Sequence, residues 1–274
     1  MGNLPFLINS ELTNQKIKKQ LEMDLKLSPQ NFTVYYQPMF KISDTDRPWG
    51  YEALSRWVNP SNIPPSIFIP ILENDVKLLC EFSLLVTKEV IKDINLWMQL
   101  QPEELHVTLN LSFNTLNKPE YVEQLIKIIY CYPNVANVLF LEITEFREIE
   151  LTETFVNSIE TLRCLGVKFA LDDFGSGFSD IRSLTLPFWS IVKIDKWLTE
   201  RIISSSSELN AFVEFAEFFI SRHSYFVFEG IESIQQHFIL KEKFKSQALL
   251  QGFYYAKPMP ADDIVNRFLL AVSG

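Results

Sequence analysis

The 274-residue sequence is poor in the side chains that form disulfides or bind zinc. Its three cysteines, Cys80, Cys131 and Cys164, are odd in number, widely spaced and without a CxxC pair. This pattern excludes a disulfide framework and a cysteine zinc site, and it is typical of a reduced, intracellular protein. The three histidines lie away from the ends of the predicted strands, which disfavours a zinc site and a histidine-based hydrolase.

Long apolar segments are also lacking. No stretch approaches the roughly 20 consecutive apolar residues that span a bilayer, and the most apolar segment, LLCEFSLLV, predicts a core helix instead. The first twenty residues have neither the basic start nor the long apolar region of a signal peptide. We therefore predict a cytoplasmic protein without a membrane span.

The chain has no excess of positive charge. It carries 34 acidic and 25 basic residues, for a formal net charge of −9. This balance argues against non-specific nucleic-acid binding, which usually requires a basic face. An acidic protein can still bind a small phosphate ligand where metal ions reverse the local charge.

The sequence does contain strand-like apolar runs that alternate with segments of helical periodicity. Eight runs rich in β-branched and aromatic residues each lead to polar side chains. Between the runs lie segments such as EYVEQLIKIIY, in which apolar residues recur at helical spacing. In chain order the polar residues are Gln37, Glu52, Asn110, Glu142, Asp172 with Asp173, Lys193, Glu229 and Gln251. The alternation and the length predict an α/β fold, a TIM-like (β/α)8 barrel.

The first connection between strands departs from the parallel pattern. About six residues, SDTDRP, separate VYYQPMFKI from WGYEAL, whereas a parallel crossover needs about a dozen. The first strand is therefore predicted to be antiparallel, so Gln37 reaches the barrel mouth from the N-terminal side of its strand. The next connection has room for two helices, the first beginning near Pro64.

Acidic and amide side chains at successive strand ends predict a metal site. In an α/β barrel these ends meet at one rim, which brings Glu52, Asn110 and Glu142 together with the Asp172–Asp173 pair. Oxygen donors of this kind suit Mg²⁺ or Mn²⁺. Both aspartates can reach the rim only if the chain already turns there, and the GSG that follows allows this.

Two further strand-end residues suggest roles in acid–base chemistry. Lys193, the one base among them, could orient a water or offset repulsion between carboxylates. Glu229 is a candidate proton acceptor with a pKa set by neighbouring charge.

Other interpretations of these residues are possible. A single carboxylate at a strand end is more often a helix cap or a surface ion pair, Asn110 could cap a turn, and Glu229 with Glu232 could form a solvated face. Asp173-Phe174-Gly175 matches the metal triplet of kinases, but the chain has no HRD loop or glycine-rich lid. Glycosidases and enolase-like enzymes also use carboxylates at barrel strand ends. Five or more acids exceed what either needs and favour a two-metal phosphodiesterase.

The motifs resemble those of one family. Glu52-Ala53-Leu54 lies within YEALSRW, and YYQP, LNLS, LEITE, DDFGSGFS, VKID, EGIE and QGFYYAKPMP occur in the same order. Together they resemble the EAL-domain family, bacterial phosphodiesterases of cyclic di-GMP, over about residues 10–270. The resemblance implies a barrel with an antiparallel first strand, two Mg²⁺ or Mn²⁺ ions and hydrolysis of cyclic di-GMP to linear pGpG. It assigns residues 1–9 to an N-terminal extension and 10–274 to the domain.

The resemblance also implies a role for each matching position. The implied metal ligands are Glu52, Asn110, Glu142, Asp172 and Asp173; the catalytic residues are Lys193, Glu229 and Glu52; the substrate contacts are Gln37, Arg56 and Gln251; and the loop supports are Glu145 and Glu232. Arg56 matches a position on phosphate, where a guanidinium suits the geometry. The loop from Phe174 to Ser183 is tied in the family to dimerisation, so the resemblance implies a homodimer.

The family resemblance also leaves a second function open. Phe228 stands where the family usually has alanine, and it would either tilt Glu229 or repack the barrel wall. Some stand-alone family members are catalytically quiet and act as cyclic di-GMP receptors or bind a regulatory protein partner such as a transcription factor. Because no metal or catalytic position is lost here, the sequence favours an active phosphodiesterase.

Overall fold

The computed structural model describes residues 4–58, 62–100, 105–144, 152–176, 184, 186–220, 225–244 and 248–270. The strands are β1 (Phe32–Lys41), β2 (Asp44–Trp57), β3 (Val107–Asn110), β4 (Leu139–Thr144), β5 (Lys168–Phe174), β6 (Trp189–Ile194), β7 (Tyr225–Phe228), β8 (Ala248–Leu250) and β9 (Met259–Pro260). The helices are α1 (Leu4–Leu27), α2 (Pro65–Glu73), α3 (Val76–Leu100), α4 (Phe113–Leu116), α5 (Pro119–Tyr130), α6 (Glu153–Cys164), α7 (Lys196–Ser204), α8 (Ser206–Ile220), α9 (Ile234–Lys243) and α10 (Ala261–Ile264).

Strands β1 to β8 close into a barrel. From β2 to β8 each strand pairs in parallel with the next, and β1 closes the ring by pairing antiparallel with both β2 and β8. The short strand β9 adds a second antiparallel pairing to β1. The (β/α)8 barrel and its antiparallel first strand are thus confirmed. None of the helices in the described ranges is long and apolar enough to cross a bilayer.

The β1–β2 hairpin is longer than the sequence analysis predicted. β1 ends at Lys41 and β2 begins at Asp44, so most of SDTDRP lies within the second strand rather than in a six-residue loop. β2 also continues for five residues beyond Glu52, which pairs with Gln37 near the middle of β1. The prediction that Glu52 ends its strand is therefore wrong. The two strands extend past the barrel rim because they pair with each other there.

Inside the barrel, an apolar layer lies directly beneath a polar one. The apolar layer consists of Met39, Trp49, Phe140, Ala170, Ile191, Val227 and Leu249, packed together and almost fully buried. Alternate residues of a strand face the same side of a sheet. The polar layer therefore follows two residues further along most of these strands, at Glu142, Asp172, Lys193, Glu229 and Gln251.

Helices lie between most of the strands, as the helical periodicity of the connecting segments predicted. α2 and α3 fill the β2–β3 connection, and α6 ends at Cys164 and is followed by Gly166 at a φ of +100°. The amides of Gly166 and Val167 donate to the carbonyls of Arg163 and Leu162, which is the Schellman pattern. After α10 the chain continues as a π-helical turn over Val265–Leu269.

Helix α1 was not predicted, and it is anchored by a buried carboxylate. Asp24, 4% exposed, accepts hydrogen bonds from Trp57 Nε1 at 2.7 Å, Gln20 Nε2 at 2.7 Å and Asn31 Nδ2 at 3.1 Å. These contacts tie α1 to the far end of β2. The proposed boundary between residues 9 and 10 falls within this helix, and the division into extension and domain stays a prediction.

Replacing Trp57 by Phe should lower the free energy of unfolding by about 1–3 kcal/mol. The substitution keeps an aromatic ring but removes the Nε1–H donor, which leaves the buried Asp24 carboxylate with fewer hydrogen bonds. Chemical denaturation monitored by circular dichroism would measure the change. The control Trp197→Phe alters an exposed ring and should stay within about 0.5 kcal/mol. Equal effects of the two substitutions would contradict the anchoring role of Asp24.

Candidate active site

The ammonium group of Lys193 lies at the centre of the polar layer. Its side chain is 1% exposed and its Nζ contacts carboxylates from four other strands or strand ends. The contacts are Glu229 Oε1 at 2.8 Å, Asp172 Oδ1 at 3.0 Å, Glu142 Oε2 at 3.1 Å and Glu52 Oε1 at 3.2 Å. One cation thus offsets part of the repulsion among the carboxylates, as the sequence suggested for this residue.

Glu52 is held by neutral side chains as well as by Lys193. Gln251 Nε2 donates to its Oε2 at 2.6 Å, and Asn110 Nδ2 donates to its Oε1 at 3.2 Å. Gln251 follows β8 directly, and the next residue is Gly252, where a Cβ atom would lie 2.0 Å from the carbonyl oxygen of Ile231. Only glycine allows this approach, which brings Gln251 beside the loop that carries Glu229.

The backbone of β5 is irregular at Asp173, one residue before the strand ends. Asp173 has a φ of +57°, and the register with β6 shifts between Leu171 and Phe174. A left-handed conformation is uncommon for residues other than glycine and is frequent at functional sites. As a result Asp172, Asp173 and Glu229 each place a carboxylate oxygen within 4.8 Å of the others.

Burial changes the proton affinity of the acids in this cluster. It raises the pKa of Glu229 to about 8 and the pKa of Asp173 to about 6, with the charge of Asp172 adding to both. Burial also raises the pKa of Glu142 well above its ordinary value. The expectation that neighbouring charge sets the pKa of Glu229 is wrong in emphasis: loss of hydration is the largest cause of the raised pKa, and Lys193 opposes the shift.

Two groups of the cluster are held in the charged form. Burial opposes ionisation of Glu52, but Lys193 and the hydrogen bond from Gln251 outweigh it and lower the pKa of this carboxyl. For Lys193, burial is likewise outweighed, because the surrounding acids, Asp172 foremost, hold its pKa well above the ordinary value.

Three buried oxygens of the polar layer accept no hydrogen bond from any described residue. They are Glu142 Oε1, Asp172 Oδ1 and Gln251 Oε1, of which Asp172 Oδ1 has its ion pair with Lys193. Buried polar atoms without partners are costly, and coordination of an ion is one way to satisfy them. Oxygen donors in this number fit Mg²⁺ or Mn²⁺, so the residues present suit the predicted pair of divalent cations.

A cavity of about 330 Å³ opens above the cluster. It is lined by Lys193 and all the acids of the cluster except Glu142, together with residues that include Gln37, Leu54, Lys196, Glu232 and Phe253. The predicted substrate contact Gln37 lies here with its amide donating to the Ala256 carbonyl at 3.2 Å. Glu232 is about half exposed and pairs with Lys196 at 2.5 Å, so it differs from Glu229, which the cluster largely buries.

Arg56 lines a second cavity, of about 240 Å³, next to the first. Leu54 borders both cavities, and Glu52, Leu54 and Arg56 alternate along one face of β2. The guanidinium donates to the Ser55 carbonyl at 2.9 Å and lies 5.4 Å from the centre of the Tyr35 ring. Arg56 is thus close to the acidic cluster but does not join it.

Phe228 lies in the barrel wall. Its ring is fully buried, with the Phe244 ring at 4.8 Å and the Phe212 ring at 5.9 Å between centroids. The backbone amide of Glu229 donates to the Ile194 carbonyl at 3.1 Å, which fixes the start of the following loop. The larger side chain therefore fills space among helices rather than space at the mouth.

Some predicted residues lie outside the described part of the chain, and some described ones were not predicted. Glu145 and residues 177–183, part of the loop for which the family resemblance implies a dimer contact, belong to the first group. Lys196 and Phe253 belong to the second, since both line the mouth. Each follows a predicted strand end within three residues, so proximity to Lys193 and Gln251 was the available signal.

Comparison with known proteins identifies the family. The family model described as EAL domain matches residues 18–258. Among curated proteins, the oxygen sensor protein DosP of Escherichia coli is 28% identical over 93% of this chain and 32% of its own length. The cyclic di-GMP phosphodiesterase PdeL of the same organism is 26% identical over 92% of this chain and 69% of its own length. The chain thus spans about a third of the first relative and about two thirds of the second.

Solved structures agree in fold. The phosphodiesterase PaMucR in complex with c-di-GMP superimposes with a TM-score of 0.77 and 26% identity, covering 89% of this chain and 99% of that one. The EAL enzyme Bd1971, bound to cAMP and cyclic di-GMP, superimposes with a TM-score of 0.83 and 22% identity over 94% of this chain and 69% of its own. With a family match over most of its length and the barrel and acidic rim described above, this chain belongs to the EAL domain family.

Proposed function

We propose that this protein hydrolyses cyclic di-GMP to linear pGpG with the help of two divalent cations. The observation that carries the proposal is the polar layer itself: five carboxyl groups and an amide meet around one buried lysine, beside a cavity lined by an arginine. Two similar proteins support the choice of substrate. PdeL is described as a cyclic di-GMP phosphodiesterase, and PaMucR is a phosphodiesterase whose structure contains c-di-GMP.

Divalent cations would be held by the oxygens that surround Lys193. We assign Glu52, Asn110, Glu142 and Asp172 to the first Mg²⁺ or Mn²⁺ site and Asp172 with Asp173 to the second, as the family resemblance implies. When bound, such cations supply an activated water and neutralise charge on the phosphoryl oxygens.

The residues of the chain have distinct tasks in this reaction. Water adds to one phosphorus of the cyclic dinucleotide and the bond from phosphorus to the ribose 3′-oxygen breaks. Lys193 orients the attacking water and holds the carboxylates at 2.8–3.2 Å from one nitrogen. Glu229 accepts a proton from the water, because its carboxylate lies at the rim of the cluster, 2.8 Å from Lys193 Nζ. Gln37, Arg56 and Gln251 bind the nucleotide.

Other features implied by the family stay predictions. These are the homodimer, a regulatory protein partner and the cytoplasmic location. The loop expected to form the dimer contact falls mostly within residues 177–183, outside the described ranges.

Replacing Glu52 by Gln should lower kcat for cyclic di-GMP by at least about 100-fold, because it removes one charge from the metal ligands. Chromatography of cyclic di-GMP and pGpG in the presence of Mg²⁺ or Mn²⁺ would measure turnover. Glu123→Gln, which changes an exposed acid on α5, should leave kcat unchanged. Tight nucleotide binding without turnover by the wild type would instead favour a receptor, and absence of both would favour a protein-interaction role.

Divalent cations should raise the melting temperature of the wild type. The cluster presents five acids to one ammonium, so cations bind the folded state better than the unfolded one. At a concentration 100 times Kd the gain is about 2.7 kcal/mol, which corresponds to several degrees for a chain of this size. Thermal denaturation with Mg²⁺, Mn²⁺ or EDTA would test this, with Glu52→Gln as the variant that should respond less. An unchanged melting temperature for the wild type would count against the metal site.

Replacing Arg56 by Ala should raise KM for cyclic di-GMP by about 10- to 100-fold, since a charged hydrogen bond contributes roughly 1.5–3 kcal/mol. Affinity for Mn²⁺ should not change, because Arg56 lies in the second cavity and not in the acidic cluster. Steady-state kinetics and calorimetry would separate the two quantities. Arg56→Lys keeps the charge without the fork and should have an intermediate KM. An unaltered KM in Arg56→Ala would remove this residue from the phosphate role.

A further inference from the structure

One acidic side chain beside the second cavity has partners that connect it to the metal site. Glu73 is the last residue of α2 and lines the cavity that Arg56 and Asn110 also border. Its Oε2 accepts a hydrogen bond from Ser112 Oγ at 2.9 Å and another from Asn114 Nδ2 at 3.2 Å. Hydrogen bonds to a carboxylate are roughly twice as strong as those between neutral groups.

These two partners belong to the turn that begins at Asn110. Ser112 is the N-cap of α4, since its Oγ accepts from the Asn114 amide at 3.1 Å. Between Asn110 and Ser112, the amide of Leu111 donates to the Glu142 carbonyl at 2.8 Å. The turn is therefore fixed on one side by β4 and on the other by Glu73.

Glu73 itself is carried by a firmly packed helix. Phe68 and Leu72 of α2 are fully buried, and the Phe68 ring lies 5.8 Å from that of Trp57 and 5.7 Å from that of Phe82. Because α2 is packed against the barrel, the hydrogen bonds of Glu73 fix the turn after β3 relative to the barrel wall.

We propose that Glu73 is a positioning residue for Asn110, and this inference rests on the proposed metal-dependent hydrolysis. Asn110 is the one amide among the implied metal ligands, and its Nδ2 is already committed to Glu52. It therefore offers a single oxygen, whose place depends on the backbone of the turn. The carboxylate ligands have two oxygens each and tolerate small displacements better. Outer residues that orient ligands typically contribute 10- to 100-fold in metal affinity or activity.

The same carboxylate could instead contact the nucleotide directly, because it lines a cavity beside Arg56. The two roles make different demands on the side chain. Positioning needs an acceptor for Ser112 and Asn114, and the amide oxygen introduced by Glu73→Gln would also provide one. A direct contact to two adjacent N–H groups of a base uses both carboxylate oxygens, of which Glu73→Gln keeps only one, and a contact to a bound cation uses the charge. This substitution therefore distinguishes the two roles.

The experiment compares the wild-type chain with Glu73→Ala and Glu73→Gln. Calorimetry with Mn²⁺ alone would give metal affinity without substrate, and kinetics with cyclic di-GMP would give kcat and KM. We expect Glu73→Ala to weaken Mn²⁺ binding and lower kcat by about 10-fold each, with KM changed less than about threefold. Glu73→Gln should recover most of both quantities. Glu123→Ala, which also removes an acid but on the surface of α5, should match the wild type.

Several results would overturn the inference. Mn²⁺ affinity equal to that of the wild type in Glu73→Ala would do so, as would a raised KM that Glu73→Gln fails to recover. Ser112→Ala provides an independent check, since its effect on Mn²⁺ affinity should not add to that of Glu73→Ala if both act through one hydrogen bond. A wild type that binds no Mn²⁺ would overturn the proposed function instead, before any variant is compared.

Discussion

The ion pairs between Lys193 and the surrounding carboxylates are the interaction on which the site depends. A buried ammonium is costly unless it is paired, and buried carboxylates repel one another unless a cation lies between them. Here each requirement is met by the other, because Nζ lies 2.8–3.2 Å from acids on four other segments of the barrel. Those acids reach one nitrogen only when β2, β4, β5, β6 and the end of β7 hold their register. The ion pairs of the site therefore form only when the barrel is closed in this register.

The alternation of strand residues transmits that constraint to the core. Ile191 lies in the apolar layer and Lys193 in the polar one, and the same step of two residues separates Phe140 from Glu142. A slip of one residue in any strand would exchange the interior and exterior faces and remove its side chain from both layers. The close-packed layer beneath therefore sets the height at which the polar groups meet. Tight packing below gives the precision that a metal site requires above.

The sequence predicted the barrel, the reversed first strand and a departure from regular strand geometry at Asp173, because each depends on local spacing or on a few adjacent residues. It missed the length of β2, since pairing with β1 beyond the rim overrides the turn residues of SDTDRP. Helix α1 was missed because its anchor is a contact between Asp24 and Trp57, 33 residues apart. Contacts of this kind have no signature in a single sequence. The outer support at Glu73 was missed for the same reason.

The polar layer contains buried oxygens without hydrogen bonds, and the apolar layer beneath stabilises the strands that carry them. A buried oxygen without a hydrogen bond destabilises the folded chain, and Glu142 carries one while fully buried. Burial also raises the pKa of this carboxyl, so the protein tolerates a destabilised acid at the centre of the barrel. It can do so because the apolar layer and the aromatic packing outside, such as Phe228 against Phe244, stabilise the same strands independently. A ligand that satisfies these oxygens would then bind to an arrangement already formed, which lowers the cost of ordering the site on binding.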